Sequence, residues 1–177
     1  PVPVVKVART EERLGGAANV ALNVAMLGAR VTLATALGTD EAGDRLGHLI
    51  ESQGIQLAAV RDAELPTTVK LRVIGRAQQL LRLDFEGEPQ RQPLDELFRR
   101  VRDEIPAHQT VLFSDYAKGG LARLPEMIRA ARDAGKLVLV DPKGSDFGRY
   151  AGATIITPNK SELMQVVGPW SSELMLE

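Results

Sequence analysis

Three polar clusters, each following a short apolar run, hold the residues with the most chemical potential in this sequence. They are Asp115 with Lys118, Asp141 with Lys143, and Asn159-Lys160-Ser161-Glu162. One Asp after a strand is ordinarily a turn or cap residue. Three polar strand ends in succession, two of them pairing Asp with Lys, suit a ligand site better. A lysine offers phosphate a point charge. A carboxylate offers acceptors to hydroxyls or, through water, to Mg²⁺. Together these groups describe a site for a phosphorylated polyol and a metal-bound nucleotide.

A fourth stretch is Leu14-Gly15-Gly16-Ala17-Ala18-Asn19. A Gly-Gly pair can take φ > 0 and lets a ligand approach the backbone. The helix behind it offers unpaired N–H groups. Asn19 and Asn23 are four apart and share a face, with amides suited to sugar hydroxyls. The same stretch also suits a tight turn before a core helix, with its Asn side chains capping or solvated. Lys70, Arg72, Arg76 and Arg82 form a basic set on two strand-like runs. They read either as a solvated strand face or as a lid closing over an anionic sugar. Such a lid would exclude the water that competes for a phosphoryl group. His48 and His108 have no partner at ligand spacing and read as surface or helix-end residues. Trp170 reads as a packing residue. No Gly-x-x-x-x-Gly-Lys-[Ser/Thr] string occurs, so a P-loop kinase is not supported.

These residues need a scaffold, and the hydrophobic pattern supplies one. The 177 residues suffice for one domain with a core. With 22 Lys+Arg against 23 Asp+Glu there is no net field to attract nucleic acid or an anionic membrane. No apolar run approaches the ~20 residues of a membrane span. Cysteine is absent, which removes disulfides, Cys-based metal sites and Cys nucleophiles and fits a cytoplasmic protein. Apolar runs at 31–37, 110–113 and 137–140 predict strands covered on both faces, and 55–60 and 153–156 are further strand candidates. Helical stripes alternate with them: Val20, Val24 and Leu27 with Ala21 and Ala25 beside them; Leu46, Leu49 and Ile50; Leu94, Leu97, Phe98 and Val101; Leu124, Met127, Ile128 and Ala131; then a helix over 159–167. That alternation predicts an α/β fold, a parallel sheet with helices on both faces. Runs 67–74 and 80–85 differ, alternating apolar and polar residues, and predict an antiparallel hairpin with one wet face. Val2, Val4, Val5 and Val7, with 11–14, are expected to add strands to this flap.

The strings Gly15-Gly16-Ala17-Ala18-Asn19, Leu27-Gly28-Ala29 and Leu37-Gly38-Thr39-Asp40-Glu41-Ala42-Gly43 resemble the first signature of the ribokinase-like (PfkB) carbohydrate kinases. Thr68-Val69-Lys70-Leu71-Arg72, Leu81-Arg82-Leu83-Asp84-Phe85, Ser114-Asp115-Tyr116-Ala117-Lys118-Gly119 and Asp141-Pro142-Lys143-Gly144 resemble its heptose 7-phosphate kinase branch. The resemblance implies a three-layer fold with a mostly parallel sheet and a small antiparallel β lid, formed by about 1–14 and 66–85. It implies ATP-dependent phosphorylation of the anomeric hydroxyl of a heptose 7-phosphate, feeding ADP-heptose and lipopolysaccharide core synthesis. Gly15 and Gly16 then form a hinge, and Asn19 contacts substrate. Asn159, with Lys160 and Ser161, lies near the nucleotide phosphates, and Glu162 organises Mg²⁺ through water. Lys70, Arg82, Asp115, Lys118 and Lys143 are further substrate-contact candidates, and the lid is a candidate homodimer interface.

The sequence also departs from the pattern that it resembles. The Gly-Ala-Gly-Asp string, whose Asp is the family's catalytic base, does not occur. It is expected beyond Glu177, and the family's opening strand before Pro1. The 177 residues are thus expected to form a kinase domain truncated at both ends and inactive alone. Two other readings stay open: a sister kinase for another sugar or nucleoside, and a non-catalytic sugar-phosphate-binding module.

Overall fold

A computed structural model describes residues 4–117 and 119–170. The chain runs through α1 (Gly16–Met26), β1 (Thr32–Gly38), α2 (Glu41–Ser52), β2 (Gln56–Asp62), β3 (Val69–Gly75) and β4 (Gln78–Phe85). It continues through α3 (Arg91–Glu104), β5 (Thr110–Ser114), α4 (Leu124–Asp133), β6 (Leu137–Asp141), β7 (Ile155–Ile156) and α5 (Lys160–Val167). Two 3-10 turns, Ile105–Ala107 and Phe147–Tyr150, precede β5 and β7. Each parallel neighbour is reached through a helical connection, as parallel pairing requires.

The expected single parallel sheet is two sheets among the described residues. β1 pairs with β2 in parallel, and β5, β6 and β7 form a second parallel sheet. The edges of β1 and β5 both line a groove, with Thr32 and Ala34 on one side and Thr110, Val111 and Leu112 on the other. His108, read from sequence as a surface or helix-end residue, ends the 3-10 turn before β5 and joins β1 to α3 through its ring. One ring nitrogen lies 3.0 Å from Thr32 Oγ1 and the other 2.8 Å from the Glu104 carbonyl. One core gathers Leu14, Ala18, Ala21, Leu33, Ile50 and Ile55. The other gathers Ile105, Phe113, Leu124, Met127, Ile128, Ala131, Val138, Val140 and Tyr150. Helix α3 links them, touching β1 and β2 while Phe98 and Val101 pack on the second core.

Three further expectations are not met. Residues 4–14 form no strand, and Val4, Val5 and Val7 are exposed; Pro1, Val2 and Pro3 lie outside the described residues. Apolar β-branched residues favour a strand only where a sheet edge receives them, and the two-stranded hairpin β3–β4 does not do so here. Helix α1 buries Ala21 of the predicted stripe together with Ala18, while Leu27 is 87% exposed. Alanines let the helix lie close to its neighbours, and closeness wins over side-chain bulk. The second sheet is covered by α4 but leaves Leu112, Leu137, Ile155 and Ile156 exposed, so it is not buried throughout.

The hairpin pairs antiparallel as expected, but its apolar face is open too, with Leu71, Leu81, Leu83 and Phe85 exposed. Register places Val69 opposite Phe85, Leu71 opposite Leu83 and Val73 opposite Leu81, and these pairs share one face. Lys70 opposite Asp84 and Arg72 opposite Arg82 share the other. Its two-residue turn puts Arg76 (φ 50°) and Ala77 (φ 66°) in the left-handed region. This is what a primed hairpin turn demands, and Asn-Gly serves it better. The double substitution Arg76→Asn, Ala77→Gly is therefore expected to stabilise the protein by about 1 kcal/mol. Urea denaturation measures it, and an unchanged or lower midpoint contradicts this turn geometry.

The hairpin is rooted at the carboxyl end of β1. Asp40 caps α2, its Oδ1 accepting from Gly43 N–H at 2.8 Å. Its Oδ2 accepts from Thr67 N–H at 2.8 Å, two residues before β3. Thr67 Oγ1 accepts from Gly38 N–H at 2.9 Å, and Arg61 donates to the Gly38 carbonyl at 2.9 Å. Hydrogen bonds from Thr67 hold the Asp40 carboxyl below its ordinary pKa.

Candidate active site

The ends of β5 and β6 and the start of α5 meet in one connected polar network, and the start of α1 lies beside it. Register brings Ser114 opposite Asp141, and the Asp115 N–H donates to the Asp141 carbonyl at 2.9 Å. Asp115 is only 4% exposed. Its Oδ1 accepts from Ala117 N–H at 2.8 Å. Its Oδ2 accepts from the Tyr150 hydroxyl at 2.9 Å and lies 3.4 Å from Arg149 Nη1. Both carboxylate oxygens thus work inside the protein, as a buried carboxylate requires. The Tyr150 hydroxyl also accepts from Lys143 N–H at 2.9 Å, tying the loop after β6 to the loop after β5.

Lys143 Nζ pairs with Glu162 Oε1 at 3.0 Å. Glu162 is buried, and its Oε2 accepts from Asn159 N–H at 3.0 Å while Asn159 Oδ1 accepts from Glu162 N–H at 3.0 Å. This reciprocal arrangement is a capping box. The same four-residue spacing that serves chemistry also starts α5. The backbone N–H of Asn159, then the Lys143 ammonium, hold the Glu162 carboxyl below its ordinary pKa. Glu162 in turn raises Lys143, which stays a cation. Burial, then the Glu162 charge, pushes the Asp141 carboxyl up.

The first helix closes the fourth side. Gly16 begins α1 at φ +53°, a left-handed conformation that glycine takes freely. A methyl group built there would sit 3.8 Å from the Tyr116 ring. Gly15 is the N-cap, and Asn19 is exposed one turn on.

Of the residues selected from sequence, Gly16, Asp115, Lys143, Asn159 and Glu162 come together here. Lys160 and Ser161 occupy the first turn of α5, with Lys160 Nζ 6.0 Å from the centre of the Trp170 ring. Lys70 and Arg82 sit on the hairpin, bound to Asp84 at 2.9 and 3.0 Å; Lys70 also reaches Glu86. Lys118 lies outside the described residues. Tyr150 and Arg149 were missed, because their partner Asp115 is more than thirty positions away and no local spacing announces the contact.

Among the described residues no three His, Cys, Asp or Glu side chains form a metal cage. Mg²⁺ does not need one, since it keeps several waters and binds one or two carboxylates plus substrate phosphates. Glu162, paired with Lys143 two residues beyond Asp141 at the end of β6, is the buried carboxylate available here to such an ion.

Solved structures share this fold. One is titled "Crystal Structure of Sa239", at TM-score 0.74 and 17% identity over 99% of this chain and 59% of that one. Another is the tetrameric inhibited form of phosphofructokinase-2 from Escherichia coli, at TM-score 0.66 and 21% identity over 96% and 60%. The sequence is 51% identical over 173 residues to D-beta-D-heptose 7-phosphate kinase of Bordetella bronchiseptica, covering 98% of this chain and 55% of that protein. It is also 51% identical over 176 residues to the bifunctional protein HldE of Chromohalobacter salexigens, covering 99% and 37%. The chain thus spans about half the length of the first relative and less of the second. Residues 1–174 match the family described as pfkB family carbohydrate kinase, and the chain belongs to that family.

Proposed function

We propose that the full-length protein transfers the γ-phosphoryl group of ATP to the anomeric hydroxyl of D-glycero-β-D-manno-heptose 7-phosphate. The product is the 1,7-bisphosphate, a precursor of ADP-heptose and the lipopolysaccharide core, made in the cytoplasm. The observation that carries this reading is 51% identity across almost the whole chain to a protein of that name. The connected network of Asp115, Lys143 and Glu162 supports it, because family strings far apart in sequence meet at one place.

Within this reading Lys143 supplies a fixed cation for phosphate. The amino end of α5, with Asn159, Lys160 and Ser161, faces the nucleotide phosphates. Glu162, through water, and Asp141 would hold Mg²⁺, which when bound would supply charge neutralisation. Gly15, Gly16 and Asn19 form the sugar edge. Lys70 and Arg82 join from the lid, and Lys118 from the loop after β5. Asp115 shapes that loop, since both its oxygens are engaged. The 177 residues hold no Gly-Ala-Gly-Asp string, the family element that carries the base. The 177-residue chain alone is therefore expected to give no turnover.

The full-length protein is offered heptose 7-phosphate, fructose phosphates, ribose and adenosine, each with ATP and Mg²⁺. Heptose 7-phosphate is expected to lead in kcat/KM by on the order of 100-fold, the discrimination that a site with polar partners can deliver. Preference for another acceptor contradicts the heptose assignment. Binding of the sugar phosphate without turnover would make it a binding module.

The apolar lid face carries Leu71, Leu81, Leu83 and Phe85, each 41–54% exposed. We propose that a second copy covers it in a homodimer. Sedimentation of Leu83→Asp in the full-length protein is expected to show a monomer where the parent is a dimer. An unchanged mass contradicts this interface.

A further inference from the structure

Tyr116 is an aromatic residue left half exposed (49%) beside a neighbour, Asp115, that is only 4% exposed. The backbone that follows is strained. Ala117 has φ +53°, a conformation that costs an L-residue about 1 kcal/mol. Strain of this kind persists only where surrounding bonds over-determine it, and it clusters at functional sites. Here the restraint is visible. The Ala117 N–H donates to Asp115 Oδ1 at 2.8 Å. The Asp115 N–H is anchored on the Asp141 carbonyl at 2.9 Å. Asp115 Oδ2 is held by the Tyr150 hydroxyl at 2.9 Å and by Arg149 at 3.4 Å. One of the chain's two tyrosines thus secures the turn that displays the other.

The displayed ring has a definite location. It lies against the amino end of α1, where a methyl group at Gly16 would touch it at 3.8 Å. Lys143, on the neighbouring loop after β6, is tied to the same turn through the Tyr150 hydroxyl, which accepts from its N–H at 2.9 Å and holds Asp115. A half-exposed aromatic ring against a helix amino end, with Lys143 on the adjoining loop, offers what a sugar phosphate needs. The ring packs on C–H bonds of the sugar, and the flanking groups attract its anion.

We propose that Tyr116 is a substrate-contact residue whose ring is the apolar platform for the sugar, and that Asp115 and Tyr150 are positioning residues that hold the strained turn beneath it. The identity of the sugar rests on the kinase reading above; the platform rests on the turn geometry.

The test uses the full-length protein with Tyr116→Ala, Tyr116→Phe and Tyr150→Phe. Tyr116→Ala is expected to raise KM for the sugar phosphate about tenfold, the scale of one aromatic contact, with KM for ATP within about twofold. Tyr116→Phe keeps the ring and is expected to stay near the parent. Tyr150→Phe is expected to reproduce part of the sugar KM increase, again without the ATP change. An exposed Tyr116 contributes little to folding, so its variants are expected to keep the parent's urea midpoint. An unchanged sugar KM in Tyr116→Ala, an equal rise for sugar and ATP, or a Phe variant as impaired as Ala would each overturn the proposal. If the parent prefers another sugar phosphate, the heptose assignment fails while the same comparison on that sugar still decides Tyr116. If the parent binds without turnover, dissociation constants from calorimetry replace KM.

Discussion

Glu162→Gln in the full-length protein is expected to lower kcat by on the order of 100-fold while the protein stays folded, the scale on which removal of one preorganised charged group acts. Glu162 is buried, and its two oxygens accept from Lys143 and from the Asn159 backbone. Gln keeps the shape but loses the charge that fixes the ammonium and attracts a metal ion. Glu162→Ala removes the capping box as well, adding a stability loss of about 1 kcal/mol. The acid dependence follows from sign. The folded-state pKa of Glu162 lies below its ordinary 4.5. Its stabilisation is thus present above that value and is lost as pH falls through the folded pKa. Lys143 is raised, so its share holds below 10.5 and is lost as pH rises through its folded value. The stability gap between parent and Glu162→Gln, read by urea denaturation, is expected to be full near about pH 7 and to shrink below about pH 4.5. A gap that is flat across that range, or a kcat within about twofold of the parent, contradicts the role given to Glu162.

Gly43→Ala is expected to be the more damaging change to the fold, costing about 3 kcal/mol or more. A Cβ there would stand 2.5 Å from the Gly38 carbonyl oxygen and 2.8 Å from Thr67 Oγ1. The first of these is backbone and cannot swing away. The same point is where Asp40 and Thr67 fasten the hairpin to β1 and α2, so overpacking it parts the lid from the core. Gly120→Ala is the matched control, because nothing lies within 4 Å of its Cβ position, and it is expected to cost under about 0.5 kcal/mol. Urea denaturation of both variants reads the difference. Equal midpoints would mean that the lid root is not packed as described.

What the sequence makes legible is local. Apolar period and turn residues locate the strands and helices to within a few positions, since both signals lie within one element. Asp40 and the Asn159–Glu162 pair are readable as helix starts, because a cap and its N–H are three residues apart. The division into two sheets is not readable, because strand pairing is decided by which edges meet. The buried face of α1 is readable only in part: Ala21 lies on the predicted stripe, but Ala18 is buried where Leu27 was expected. The site shows the same limit. Lys143 with Glu162 and Asp115 with Tyr150 join segments 19 and 35 positions apart, and only the folded chain shows that they form one network. Lys70 and Arg82 looked free for an anion in sequence, yet hairpin register sets Asp84 opposite Lys70 and beside Arg82.

Phosphorus NMR of the reaction mixture most directly tests the assignment of heptose kinase activity. The full-length protein, heptose 7-phosphate, ATP and Mg²⁺ are expected to yield ADP and a new phosphate resonance coupled to the anomeric proton of the heptose. A new phosphate coupled to any other position, or ATP and heptose 7-phosphate left unchanged, would contradict it.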